Sequence, residues 1–307
     1  MRRPLPDALF CWGVLVLTVL SLLHSGCGPA RSLGQKERVK VAASIMPLAD
    51  MARQIGGEYV EVVVVVPAGS DPHTYEPSPG DVSTLSGSQL ILRVGAGFDD
   101  WVSKVAAGAA PEAEILTLSH GLDLLAETGT EDDERAGNPH IWLDPILMRD
   151  FLGPAVADGL AKLLPAQKEY FMENLKLWQE KLTELDSEIR FALSGVSQKY
   201  FISFHPAWSY FAKRYGLVEL AVLEEKPGEE PTIADLIGLI KAAEAKGKPP
   251  IFVEPQFNRQ MAETVARQYG GSVYTVDPLG TSSQTYVDLM YENLRVFKEA
   301  LGGSADK

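Results

Sequence analysis

Four polar side chains in similar sequence contexts could bind a metal ion. His73, His140 and His205 each lie in a proline-containing segment beside a predicted strand end. Asp277 follows a further predicted strand and precedes a proline. Because ligand groups in open α/β sheets collect at the carboxyl ends of strands, we expect these side chains to meet in one cleft. Three imidazoles and one carboxylate suit tetrahedral Zn²⁺, so the sequence predicts a metal site assembled by tertiary folding, with two ligands from each half of the chain.

Other polar residues near these positions are weaker candidates for a role in the metal site. Glu76, Asp144 and Glu254 lie close to a candidate ligand in sequence or end a predicted strand. Since metal-bound histidines usually donate their second ring N–H to an acceptor, these carboxylates are predicted to orient the imidazoles, with helix capping or solvation as the alternative. Glu254 is also a candidate substitute ligand. His120 matches no ligand pattern and is predicted to be a surface or edge histidine.

The elements that must position these residues alternate between strands and helices. Short runs of β-branched residues are separated by amphipathic stretches in both halves of the chain, which predicts parallel sheets covered by helices. The predicted strands are at 39–45, 60–66, 89–94, 113–118, 199–204, 217–223, 250–254 and 272–276. The predicted helices are at 47–55, 78–86, 99–109, 207–215, 232–246, 258–269 and 285–301.

One long amphipathic helix separates the two halves. From Phe171 to Ala192 the apolar residues recur at alternating spacings of four and three. This pattern predicts a helix of about 30 residues, ~45 Å long, laid along two lobes. A free coiled coil is the alternative, but the βα units on both sides favour the first interpretation. The predicted organisation is a signal segment at 1–27, a tether at 28–37, an N-terminal αβ lobe at 38–164, a linking helix at 165–194 and a C-terminal αβ lobe at 195–307.

The amino terminus carries an export signal. A basic start is followed by an apolar run at 8–23 and then by Ser-Gly-Cys ending at Cys27. This arrangement resembles a bacterial lipoprotein signal, in which the cysteine is lipidated and becomes the first mature residue; His24 departs from that pattern where an aliphatic residue is usual. The other cysteine, Cys11, lies inside the apolar run, so the exported chain would hold one thiol and no disulfide. An uncleaved anchor is the alternative.

Composition narrows the class of partner. The chain has 307 residues, 46% hydrophobic and 22% charged, which is ordinary for a globular protein of two domains. Its net charge of −13 argues against a nucleic-acid partner, because phosphates would be repelled. The acidic, glycine-bearing segment 127–137 predicts a mobile surface loop.

Four segments in order along the chain have distinctive sequences: Pro67–Pro77, Asn138–Pro145, Phe204–Phe211 and Asp277–Leu279. With them the chain resembles the zinc/manganese-binding lipoproteins that supply bacterial ABC transporters. The resemblance covers about residues 38 to 301. It implies that the four candidate residues named above are the metal ligands. It also implies two αβ lobes joined by a rigid helix, with the metal in the cleft between them.

The resemblance implies a transport receptor and no enzyme activity. Such a protein captures a divalent ion outside the cytoplasmic membrane and passes it to an ABC permease. It would be a monomer held at the membrane or in the periplasm by the lipid on Cys27. A histidine at position 205 is similar to the zinc members, whereas manganese members have glutamate there. The short acidic loop lacks the histidines of many zinc members, so manganese stays the alternative metal.

Two other classes of function compete with transport. A zinc hydrolase keeps an open coordination position for water, whereas four protein ligands would close this site. The sequence also lacks H-E-x-x-H and G-x-S-x-G motifs. A surface adhesin that retains a metal for stability is the second alternative. The reversibility of metal binding distinguishes a transport receptor from such an adhesin, because a receptor exchanges its metal whereas a protein with a structural metal unfolds on chelation.

Overall fold

The structure is a computed structural model that describes residues 37–126, 137–225 and 228–302. The predicted signal segment, Cys27, residues 28–36 of the tether and residues 127–136 of the acidic loop lie outside these ranges. Among the described residues, no helix is long and apolar enough to cross a bilayer.

The N-terminal lobe contains a sheet of four parallel strands. The strands are β1 (Val39–Ala43), β2 (Val60–Val64), β3 (Leu90–Arg93) and β4 (Glu114–Thr117), and their order in the sheet is β2-β1-β3-β4. The two central strands, β1 and β3, are mostly apolar and almost entirely buried, as expected of parallel strands covered by helices on both faces. The helices between them are α1 (Met46–Gly56), α2 (Pro79–Leu85) and α3 (Trp101–Ala109).

A helical segment that the sequence did not predict leads out of this lobe. A 3₁₀ turn at Ile141–Leu143 and a helical turn at Pro145–Leu147 run into a π-helical stretch at Met148–Leu152 and then α4 (Gly153–Leu163). Gly153 and Pro154 normally interrupt a helix. Here the proline lies in the first turn of α4, where its missing N–H costs least, and the π-helical stretch absorbs the change.

The long helix is present as α5 (Lys168–Ser194), preceded by one 3₁₀ turn. Its 27 residues span about 40 Å at 1.5 Å per residue. The predicted apolar stripe is buried, although at its end Leu193 is buried and Ala192 only partly so. The fully buried positions are Phe171, Leu175, Trp178, Leu182, Leu185, Ile189 and Leu193.

The C-terminal lobe repeats the architecture of the first. Its four parallel strands are β5 (Tyr200–Ser203), β6 (Val218–Val222), β7 (Ile251–Val253) and β8 (Val273–Thr275). Their order, β6-β5-β7-β8, corresponds strand for strand to that of the N-terminal sheet. The predicted α/β class, with two parallel-sheet lobes and one long helix, is therefore confirmed. The helices are α6 (Ser209–Tyr215), α7 (Ile233–Ala245), α8 (Arg259–Tyr269) and α9 (Tyr286–Ala300).

One continuous hydrophobic core runs through both lobes and α5. It includes Leu92 of the first sheet, Trp178 of α5 and Phe252 of the second sheet. The outer face of each sheet has its own smaller cluster under the flanking helices. Because the inner faces share one core, wide separation of the lobes would expose apolar surface to water. This exposure costs about 25 cal/mol of free energy for each Å². The lobes therefore pack as one body with the strand carboxyl ends facing a narrow seam.

Candidate metal site

Three imidazole rings meet at the seam between the lobes. Nε2 of His140 lies 3.2 Å from Nε2 of His73 and 3.2 Å from Nε2 of His205. Nitrogen atoms bound to Zn²⁺ at the usual bond lengths and at tetrahedral angles are about 3.3 Å apart. Both distances from His140 thus match the separation of two ligand atoms on a tetrahedral zinc ion. Among the described residues, these three form the one group of histidine, cysteine or acidic side chains whose ligand atoms lie within 4.8 Å of one another.

His73 is carried by the loop that follows β2. Oδ1 of Asp71 accepts a hydrogen bond from the backbone N of His73 at 3.0 Å, and its Oδ2 accepts one from the hydroxyl of Thr74 at 2.9 Å. Asp71 therefore shapes the turn that presents the ring. The ring packs edge-on against Phe98, with 4.7 Å between centroids.

His140 is not at a strand end, so the sequence prediction of its local context was wrong. The nearest preceding strand among the described residues, β4, ends at Thr117. The ring is placed by Asn138, whose Oδ1 lies 3.0 Å from the backbone N and 2.9 Å from Nδ1 of His140. Sequence reasoning missed Asn138; its position two residues before a histidine was the available signal.

His205 lies just beyond β5, as predicted, and Glu254 follows β7. Oε1 of Glu254 is 3.0 Å from Nδ1 of His205, and both side chains are almost fully buried. At this distance the carboxylate faces Nδ1 and can pair with a proton on it, although the two groups are not aligned for a standard hydrogen bond in the described part of the chain. The predicted orienting role of Glu254 is compatible with this contact.

Asp277 lies near the site but outside the group of three. Its Oδ1 accepts hydrogen bonds from the backbone N of Leu279 and Gly280, each at 2.9 Å. The side chain of Asn293 binds both the N and the carbonyl oxygen of Asp277. The carboxylate therefore shapes the turn after β8. Oδ2 accepts no hydrogen bond from the residues that the structure describes, and its role as a fourth ligand stays a prediction.

The remaining predicted residues lie away from the imidazoles. Glu76 is exposed. Asp144 accepts a hydrogen bond from Ile146 N at 2.9 Å and pairs with Arg214 at 2.6 Å. Within the described ranges neither carboxylate hydrogen-bonds a histidine. His120 is exposed, as expected of a surface histidine.

The three imidazoles differ in their affinity for protons. Burial, and after it the charge of His205, lower the pKa of His73 to about 4 against the opposing effect of Asp71. Burial and the two neighbouring histidines hold the pKa of His140 well below its usual value. Burial also lowers the pKa of His205, but the carboxylates of Glu254, Asp71 and Glu219 together outweigh this effect and the pKa is raised. At neutral pH, His73 and His140 are therefore neutral, as a metal ligand must be.

The space at the imidazoles is very small. It is lined by the three histidines together with Phe98 and Trp142, among others, and leaves about 10 Å³ for a water-sized body. That volume is about what one water molecule needs. The site can accept a single ion, whereas an organic substrate would not fit.

Replacing Glu254 with glutamine is expected to lower the metal affinity of the site by about 10–100-fold, the usual effect of removing a carboxylate behind a metal-bound histidine. The amide keeps the shape but removes the negative charge beside Nδ1 of His205. Titration against a fluorescent zinc chelator would measure the change. Glu76→Gln is the matched control, since Glu76 is exposed and should leave the affinity unchanged. Equal affinities for both variants would contradict the role of Glu254.

The fold and the site together define a class of bilobal binding protein in which a small ligand is held between two α/β lobes. Residues 41–300 match the family described as zinc-uptake complex component A, periplasmic. The chain belongs to this family.

Individual relatives are similar over almost their whole length. The chain is 27% identical over 310 residues to the high-affinity zinc uptake system protein ZnuA of Bacillus subtilis (strain 168), covering 94% of this chain and 97% of the relative. It is 27% identical over 297 residues to the manganese-binding lipoprotein MntA of Halalkalibacterium halodurans, covering 93% and 97%. A crystal structure of ZnuA superposes with a TM-score of 0.79 at 29% identity, covering 86% of this chain and 100% of that chain.

Proposed function

We propose that this protein captures a divalent transition metal ion, Zn²⁺ in preference to Mn²⁺, and delivers it to an ABC permease. The observation that carries the proposal is that Nε2 of His140 lies 3.2 Å from Nε2 of His73 and 3.2 Å from Nε2 of His205. The relatives named for zinc uptake and for manganese binding support the transport of a metal of this kind.

The donor set favours zinc. Three imidazole nitrogens suit Zn²⁺, whereas Mn²⁺ prefers carboxylate, carbonyl and water oxygens. Of the two nearby carboxylates, Glu254 lies behind His205, and Asp277 uses one oxygen in its own turn. Asp277 supplies at most a single oxygen through Oδ2. Manganese remains the alternative metal, supported by the similarity to MntA.

Transport explains the site better than hydrolysis or structural stabilisation. A hydrolase needs room for its substrate beside the metal, and this site has space for about one water-sized body. A structural metal usually stabilises a fold with little core of its own. Here a continuous apolar core supports both lobes without the ion. An adhesin role would be additional to transport.

The remaining parts of the proposal concern the membrane. Several relatives are named lipoproteins, which supports an exported protein anchored outside the cytoplasmic membrane through lipid on Cys27. The ABC permease is the protein partner, and the receptor acts as a monomer without enzyme activity.

The decisive experiment is elemental analysis of the protein as purified, followed by competition between zinc and manganese. We expect about one equivalent of zinc, retained against excess manganese, because imidazole sites bind Zn²⁺ more tightly in the Irving–Williams order. Bound manganese that zinc does not displace would overturn the choice of metal. A protein that retains and binds neither ion would overturn the proposal.

Removing the metal with a chelator is expected to leave the fold intact and lower the melting temperature by several degrees. Binding stabilises the native state by RT ln(1 + [L]/Kd), about 2.7 kcal/mol when free zinc is 100 times Kd. Circular dichroism before and after chelation, and again after adding zinc back, measures both effects. Loss of secondary structure on chelation would instead indicate a structural metal.

A further inference from the structure

The segment around His140 is bound to the C-terminal lobe although the chain reaches it from the N-terminal lobe. The indole N–H of Trp142 donates to the carbonyl of Pro278 at 2.7 Å, and the hydroxyl of Tyr286 donates to the carbonyl of Trp142 at 2.7 Å. Arg214 pairs with Asp144 at 2.6 Å. The position of His140 thus depends on contacts across the seam.

Asn138 makes the most direct of these contacts. Its Nδ2 lies 2.6 Å from the carbonyl oxygen of Pro206, the residue that follows His205. Its Oδ1 lies 3.0 Å from the backbone N and 2.9 Å from Nδ1 of His140. Its own carbonyl accepts a hydrogen bond from the hydroxyl of Tyr210 at 2.8 Å. Asn138 is 1% exposed, so water does not compete for these groups.

The backbone partners fix which way the amide of Asn138 points. A backbone N–H only donates and a carbonyl only accepts. The side-chain oxygen must therefore face His140 N, and the side-chain nitrogen must face the carbonyl of Pro206. Nδ1 of His140 faces that same oxygen, so it must carry the ring proton. Nε2 is then the bare nitrogen, and it is the atom that points at the other imidazoles.

We propose that Asn138 is a positioning residue that holds His140 as the Nδ1–H tautomer and ties this ring to the peptide after His205. The inference rests on the proposed function, since it concerns how the same site is organised. One amide thereby sets the orientation of one ligand and its distance from the next. A metal ion meets two nitrogens already spaced for it, so less ordering is needed on binding.

The tautomer of the His140 imidazole can be measured in metal-free protein. Long-range ¹H–¹⁵N correlation spectra of metal-free protein labelled at histidine distinguish Nδ1–H from Nε2–H tautomers. We expect the Nδ1–H tautomer for His140 in the wild-type protein and a mixture in Asn138→Ala. Asn138→Asp keeps the acceptor for Nδ1 but places oxygen against the carbonyl of Pro206. We therefore expect it to keep the tautomer and lose part of the affinity.

Zinc affinity is the second readout. Asn138→Ala should lower it by about 10–100-fold, as for other residues that orient a ligand. Tyr210→Phe is the matched control: it removes the hydroxyl that donates to the carbonyl of Asn138 and accepts from the backbone N of Leu125. It should therefore lower stability while leaving the His140 tautomer and the zinc affinity at wild-type values. If Asn138→Ala does not fold, comparison of Asn138→Asp with Tyr210→Phe decides the same question.

Three results would overturn the inference. They are an Nε2–H tautomer of His140 in the wild-type protein, a wild-type affinity in the folded alanine variant, and equal losses of affinity in the Asn138 and Tyr210 variants. A wild-type protein that binds no zinc would overturn the proposed function instead. The tautomer of metal-free His140 would still test the role of Asn138.

Discussion

Replacing His140 with alanine is expected to lower zinc affinity by at least about 100-fold with little loss of fold. Removing a residue that only orients a ligand already costs 10–100-fold, and this change removes the ligand itself. His140 is also the central ring of the group, 3.2 Å from each of the other two Nε2 atoms. Isothermal titration calorimetry with zinc measures the loss, and circular dichroism measures the fold.

The control for this experiment is His120→Ala, which removes an exposed histidine away from the site. Its zinc affinity should equal that of the wild-type protein. A wild-type affinity in the His140 variant would contradict the assignment of the site. Unfolding of that variant would move the test to His73→Ala, whose ring is carried by a surface loop.

Zinc affinity is expected to fall by about tenfold per pH unit once the pH drops below the pKa of His205. Glu254 raises that pKa, and Asp71 and Glu219 add to the effect. A proton on His205 must leave before the metal binds. The pKa of His73 is lowered to about 4 and that of His140 lies well below its usual value, so neither ring competes near pH 6. The slope should therefore correspond to one proton, and it should steepen toward pH 4.

Affinities measured between pH 7.5 and pH 4.5 against a chelator of known proton affinity would test this. Glu254→Gln removes the charge that raises the pKa of His205, so in this variant the fall should begin at a lower pH. An affinity that is constant over the range would contradict the assignment of His205, with its raised pKa, as a ligand. A thousandfold fall in zinc affinity per pH unit near pH 6, which corresponds to three protons, would show that the three rings titrate independently.

Local pattern was enough to predict the repeating part of the fold. All eight strands lie inside the predicted ranges, because β-branched runs ending in proline or glycine have few other structures open to them. The apolar stripe that begins at Phe171 predicted the long helix α5 equally directly. The segment from Pro145 to Leu163 was not predicted, because the signals of Gly153 and Pro154 oppose a helix and only the π-helical stretch accommodates them.

The sequence predicted that His73, His140 and His205 come together, but not the hydrogen bonds that position them. His73 and His205 follow strands that the sequence shows plainly. The position of His140 depends on Asn138 and Pro206, which are distant in sequence and meet only in the folded chain. Asp144 looked equally able to orient a ring, yet Arg214 engages it. Choices of partner between distant residues are decided by tertiary packing, which no local pattern encodes.

The core shared by both lobes and α5 links the cargo to the lifetime of the protein. Since one apolar cluster joins the two sheets, unfolding of either lobe exposes the core of the other, and the chain should unfold as a single cooperative unit. A bound ion then stabilises every residue of that unit at once. Proteolysis that requires global opening follows the population of the unfolded state. With zinc at 1,000 times Kd, that population falls by about a thousandfold, so a loaded receptor outlasts an empty one.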